Sequence, residues 1–158
     1  MQKLVYFLCL LGLICACSSI DCPLNNSVYA RYKLAGETKT LADTLTVFTH
    51  RNSSGDTVLL NKLVEKDSFE LPMSFSGTED VLFFRFNDKE KKTYIDTIAV
   101  KKTNEPHFES VDCNAVFFHT IQEITHTRHK IDSIVIQNNR VTNDNSKATF
   151  LIYIKSNS

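Results

Sequence analysis

At 158 residues, with 18 basic and 18 acidic side chains and no net charge, the chain has no electrostatic pull toward nucleic acid or an anionic surface. Eleven Phe, no Trp, only 4 Gly and 3 Pro, and recurrent Val, Ile, Thr and Tyr favour strands joined by Asn, Asp and Ser turns. One domain is the expectation for this length.

The first residues read as an export signal. Lys3 precedes the apolar run Leu4–Ile14, and Ile14-Cys15-Ala16-Cys17 has the lipobox order of an aliphatic, a tolerated residue, a small residue and the acceptor thiol. Residues 1–16 are therefore expected to be a lipoprotein signal peptide, with Cys17 the first mature and lipidated residue. A transmembrane anchor would need about 20 apolar residues, more than Leu4–Cys17 supplies before Ser18-Ser19. Ordinary secretory cleavage after Cys17 fits the small-residue rule less well, because Cys15 would sit at the −3 position. Several acyl chains, each contributing about 0.8 kcal/mol per buried methylene, would make the attachment effectively permanent. Without residues 1–16, 142 of the 158 remain, carrying 17 basic and 18 acidic side chains.

Five cysteines then resolve into groups. Cys9 and Cys15 leave with the signal and Cys17 takes the lipid, so Cys22 and Cys113 remain. Two thiols in an oxidising envelope commonly pair. A bridge between them would enclose about 90 residues, a constraint of about 4 to 5 kcal/mol on the chain-entropy account. Two separate free or buried cysteines are the alternative.

Residues 17–26 read as the lipidated N-terminus and a short tether, and residues 27–158 as a single β domain. Strand-length alternations follow in order over Val28–Leu34, Leu45–His50, Thr57–Asn61, Phe69–Phe75, Val81–Asn87, Thr93–Val100, His107–Val111, Ala115–Thr125, Ile131–Gln137 and Ala148–Lys155. Between them lie turn-forming clusters: Asn52–Gly55, Ser76–Thr78, Asn87–Lys89, Asn104–Pro106, Asn138-Asn139 and Asn143–Ser146. The spacing predicts an all-β, antiparallel β-sandwich, immunoglobulin-like in general architecture. Ala148, Phe150, Ile152 and Ile154 are expected on one face of the last strand. Val116, Phe118 and Ile124 are expected on one face of the Ala115–Thr125 strand, with Phe117 and Ile121 opposite.

Asp-Thr or Asp-Ser opens four apolar alternations, at Asp43, Asp56, Asp96 and Asp132, spaced 13, 40 and 36 residues apart. That irregular spacing excludes a solenoid, and local hydrogen bonding at strand entrances suffices to explain the pattern. Four converging carboxylates would require the strand starts to cluster.

No stretch names a reaction. His126 and His129, with His50, His107 and His119, are the only metal candidates, but an odd offset sends strand neighbours to opposite faces and no His-Glu-x-x-His or Cys-x-x-Cys accompanies them. They read as turn histidines, and no metal or cofactor is expected. Asn143–Ser146 lacks the glycine and terminal glutamate of a calcium loop. No Gly-x-Ser-x-Gly appears, so no catalytic residue is assigned. Asp88–Lys92 reads as a solvated hairpin tip, and Phe83, Phe84, Phe86, Phe117 and Phe118 read mostly as core.

Cys17, Cys22, Ile95–Ile98, Phe108–Cys113, Phe117-Phe118, Thr125–Thr127 and Ile131–Ile134 together resemble an uncharacterised family of small Bacteroidota envelope lipoproteins. Members often have Gly after the late cysteine, where this chain has Asn114. The resemblance implies anchorage, a β domain and the Cys22–Cys113 bridge, with no assigned activity. The expectation is a non-catalytic binding or assembly-support module, attached to the membrane by its lipid, with an envelope protein or glycan as its partner and no nucleic acid. A hydrolase or metalloenzyme assembled from sequence-distant residues is the competing expectation.

Overall fold

Ten strands form in the computed structural model, which describes residue 22, residues 27–51 and residues 55–155. The expected signal peptide, Cys17, most of the tether and the 52–54 part of the first turn lie outside the described residues. The strands are β1 (Tyr29–Ala35), β2 (Thr44–Arg51), β3 (Gly55–Leu63), β4 (Ser68–Pro72), β5 (Glu79–Asn87), β6 (Thr93–His107), β7 (Val116–His126), β8 (Ile131–Ile136), β9 (Arg140–Val141) and β10 (Phe150–Ile154). A four-stranded sheet in the order β4-β1-β10-β8 packs on a six-stranded sheet in the order β3-β2-β5-β6-β7-β9. The fold is the all-β sandwich that the alternation predicts. All strand pairings are antiparallel except β1 with β10, which run parallel.

An aromatic row crosses that parallel pairing. Tyr32 of β1 lies in register with Phe69 of β4 on one side and Phe150 of β10 on the other. Its ring stacks on Phe69 at 5.3 Å and meets Phe150 at 4.8 Å, and Phe84 of the facing sheet closes on it at 5.8 Å. Tyr32, Phe84 and Phe150 are wholly buried, and aromatic side chains of this size dominate what a small core gains by leaving water. The Tyr32 hydroxyl has no hydrogen-bond partner among the described residues. Burial first, and then the charge of Asp80, push it above the ordinary phenol range.

The structure departs from the sequence reading in four places. Asn104-Glu105-Pro106 is no turn, and the expected separate strand at His107–Val111 does not form: β6 runs straight through to His107. Beyond Lys101, β6 has left its ladder with β5 and pairs only with β7, so a proline without an N–H is tolerated at Pro106. In β7 a bulge sits at Gln122, where Lys101 opposes Glu123 and Lys102 opposes Ile121. The extra residue brings Ile124 to the face that carries His119 and Ile121, not to that of Phe118. The two-residue β9 was hidden within a run of turn residues. Phe84 and Phe86 are core and Phe118 packs against it while stacking on His107 at 4.4 Å, but Phe83 stacks on Phe48 at 5.2 Å on the outer face and Phe117 stacks on the exposed Phe75 at 5.4 Å.

Candidate functional site

β1 begins, β4 ends, β5 begins, β6 ends and β7 begins at one end of the sandwich. At this end the segment between β4 and β5, residues 73–78, is fastened to β6 from beneath. The Lys102 side chain is fully buried and its ammonium donates to the carbonyls of Ser74 at 2.5 Å and Gly77 at 2.8 Å and to Asn104 Oδ1 at 3.1 Å, with Asp80 Oδ1 at 3.6 Å. Asn104 Nδ2 donates to the carbonyls of Phe75 and Gly77, which fixes its Oδ1 as an acceptor. His119 Nδ1 lies 2.8 Å from that oxygen and must carry the proton. Asp80 in turn accepts from the Ser74 hydroxyl and backbone N–H. A buried ammonium is tolerated only with such partners.

Above this staple lies a groove of about 640 Å³, whose lining includes His50, Arg51, Ser74, Phe75, Glu79 and Asp80. The chemistry it offers is limited. The Ser74 hydroxyl is committed to Asp80 rather than to a histidine, and His119 is fully buried. Burial pulls the Lys102 ammonium below its ordinary value while Asp80 opposes the change. Hydrogen-bonding groups that point into the fold serve its shape; a bound molecule would meet the rim.

Burial, reinforced by Lys102, pushes His119 down to about 4. Its Nε2 is buried with no hydrogen-bond partner among the described residues, and the charge of Asp80 offsets only part of the cost of protonation. In the unfolded chain the imidazole titrates near 6.5. Between those two values the unfolded state binds the extra proton, so stability is full above about pH 6.5 and falls as pH drops toward 4. The expected loss is about 3 kcal/mol, read as a shift in urea midpoint between pH 7 and pH 4. His119→Gln should flatten the profile over that interval. An unchanged slope in the variant would assign the acid sensitivity to other groups.

At the opposite end a cavity of about 250 Å³ is lined by Leu41, Phe86 and Ile154 together with Asp43 and Lys130. Asp43 Oδ2 and Lys130 Nζ are 2.7 Å apart and nearly buried, and the ammonium also sits 5.5 Å over the Tyr94 ring. The two charges neutralise each other in the cavity wall.

Asp96 is the residue the sequence undersold. It is fully buried, and its carboxylate accepts from Thr127 Oγ1 and from the backbone N–H groups of His129, Lys130 and Ile131, at 2.7 to 2.8 Å. Burial alone would raise this carboxyl, but those four donors together hold it below the ordinary range. The Asp-Thr pattern predicted local bonding; these partners lie 31 to 35 residues away. The four aspartates do not converge: Asp43 faces Lys130, Asp56 pairs with the exposed His50 beside the first hairpin, and Asp132 is exposed. His126 bonds the Thr127 carbonyl through Nδ1, and His129 is exposed in the turn that Asp96 caps. Among the described residues, no three His, Cys, Asp or Glu side chains are grouped to hold a metal ion. Asn143–Ser146 forms a turn closed by Ser146 N–H on Asp144 Oδ1, and Asp88 closes the Asp88–Lys92 tip by accepting from Lys92 N–H at 2.8 Å. Cys22 and Cys113 are joined as a disulfide, their Cα atoms 5.4 Å apart.

A family model described as a family of unknown function (DUF6452) matches residues 44–154, more than two thirds of the chain. The chain belongs to that family. The DUF6452 span contains Asp96, Lys102, Asn104, His119 and Cys113, while β1 and Cys22 precede it. Neither a curated protein nor a solved structure matches the chain.

Proposed function

We propose that this DUF6452 member is a lipid-anchored, non-catalytic β-sandwich of the cell envelope, one of the small Bacteroidota lipoproteins, which binds a partner or supports an assembly. The observation that carries the reading is the lipobox Ile14–Cys17 placed five positions before Cys22, the cysteine that clasps the domain. A disulfide suits an oxidising compartment, and the signal supplies the route there. The inward commitment of Ser74, Lys102 and His119 favours a binding module over an enzyme.

Expression of the full chain and of Cys17→Ser in a bacterium with lipoprotein processing tests the anchor. The parent chain should appear in the membrane fraction with its N-terminal Cys17 acylated by mass, and Cys17→Ser should not be acylated. An unmodified Cys17 in the parent would sink the proposal. Crosslinking of the anchored protein in intact cells should recover a recurrent envelope protein or glycan, whereas the absence of any reproducible partner would leave a spacer. Protease treatment of those cells reports the face, since Ser18-Ser19-Ile20-Asp21 carries only one acidic residue of the kind associated with surface export.

A further inference from the structure

The most exposed large apolar side chains among the described residues are Val111 at 97%, Phe108 at 62%, Val58 at 55% and Phe75 at 53%. Three of these four lie at the disulfide-bearing end of the sandwich. Phe108 and Val111 belong to the loop between β6 and β7, two positions and less than one turn of chain from Cys113 in the case of Val111. Phe75 lies in the 73–78 segment, stacked on Phe117, and the Lys102 staple holds that segment in place. A valine left almost wholly in water at the tip of a loop gains nothing from folding, and exposed apolar side chains gathered at one end of a domain mark a contact surface.

Chain length says what covers it. Only residues 18–21 separate Cys17 from Cys22, so the anchor reaches at most about 18 Å before the disulfide begins. Without the bridge, the chain would run from Cys17 to Tyr29, a reach of about 40 Å. The bridge therefore brings the loop that bears Val111 within one short extended segment of the acyl chains. The other end carries Lys89, Lys91 and Lys92 on the β5–β6 tip, all exposed, and β6 alone spans 15 residues, about 50 Å. That end stands away from the bilayer.

We propose that the disulfide-bearing end rests on a phospholipid bilayer, with Val111 and Phe108 in its interfacial region and Phe75 at the rim of the contact. This rests on lipidation of Cys17 as proposed above. The exposed Glu109 and Asp112 flank Val111, so the contact is apolar, and anionic headgroups do not strengthen it. Its effect is to fix which way the groove and the opposite end face.

The absence of tryptophan makes a direct test available. Full chain carrying Val111→Trp, purified from membranes and returned to phosphatidylcholine vesicles brominated on their acyl chains, should lose at least about half its fluorescence relative to unbrominated vesicles. Lys89→Trp at the far tip should be unaffected. Equal quenching at both sites, or none at Val111→Trp, overturns the contact. A Trp shielded from aqueous iodide in vesicles but not quenched by the brominated chains also overturns it, in favour of self-association of this end. Intact mass of the same sample separates the two levels: an acylated chain with an unquenched Val111→Trp sinks only this inference, and an unacylated chain sinks both.

Discussion

Replacing Asp96 with alanine is expected to lower stability by about 4 kcal/mol, a large share of the roughly 5 to 15 kcal/mol of an ordinary domain. The carboxylate is the shared acceptor for Thr127 Oγ1 and three successive backbone N–H groups. Those of Lys130 and Ile131 are buried, and a buried donor left without a partner costs about 1 to 3 kcal/mol. The charge-assisted bonds themselves are about twice as strong as neutral ones. Asp96→Asn keeps one oxygen and turns an amide N–H₂ toward donors, so it should lose about 2 kcal/mol. Urea unfolding at pH 7 provides the measurement; a loss below about 1 kcal/mol in Asp96→Ala would show that water replaces the carboxylate freely. The same group contributes to acid sensitivity. Its folded carboxyl is held down, so its stabilisation is complete above the unfolded value of about 3.9 and disappears as pH falls through and below it. This lies under the His119 interval, which makes the two separable.

Cys22→Ser combined with Cys113→Ser should cost about 4 to 5 kcal/mol, because the bridge spans 91 positions and a loop of that size removes a large share of the freedom of the unfolded chain. The enclosed segment contains β1 to β6 entire. Comparing urea midpoints of oxidised and reduced wild-type protein with the double variant checks it. The reduced wild type and the variant should coincide, and both should retain the slope of the transition within the change that a less compact unfolded chain brings. Coincidence of all three midpoints would mean that the bridge constrains only the tether.

Much of the architecture was legible because a half-buried strand alternates with period two, and Phe150 and Ile152 are buried just where the alternation of the last segment puts them. What escaped had physical reasons. Pro106 is ordinarily a turn signal, and only the departure of β5 from the ladder lets it remain in β6. The bulge at Gln122 changes which face Ile124 occupies, and a bulge leaves no mark in a pattern of hydrophobic residues. The staple was the larger omission: Lys102, Asn104 and His119 alternate along two strands as unremarkable polar residues, and only the packing of residues 73–78 over them reveals that they are inside. The one available signal was that Lys102 continues the buried alternation of Ile98 and Val100 beyond the expected end of that strand. Asp96 was singled out for a pattern shared with Asp132, yet one is buried and the other exposed, because the pattern records strand entry and not what packs against it.

The parallel pairing of β1 with β10 also sets the order of assembly. β1 sits between β4 and β10, and β8 touches its sheet only through β10. As the chain is synthesised, β1 is among the first strands available and its second neighbour among the last, separated by more than a hundred residues of intervening chain. Tyr32 must wait for Phe150 before its far side is covered. The six-stranded sheet can start from the sequence-adjacent pairs β2–β3, β5–β6 and β6–β7, but the other cannot close until its final strand arrives, so contacts distant in sequence govern the rate of folding and the late strand locks both ends of the chain at once.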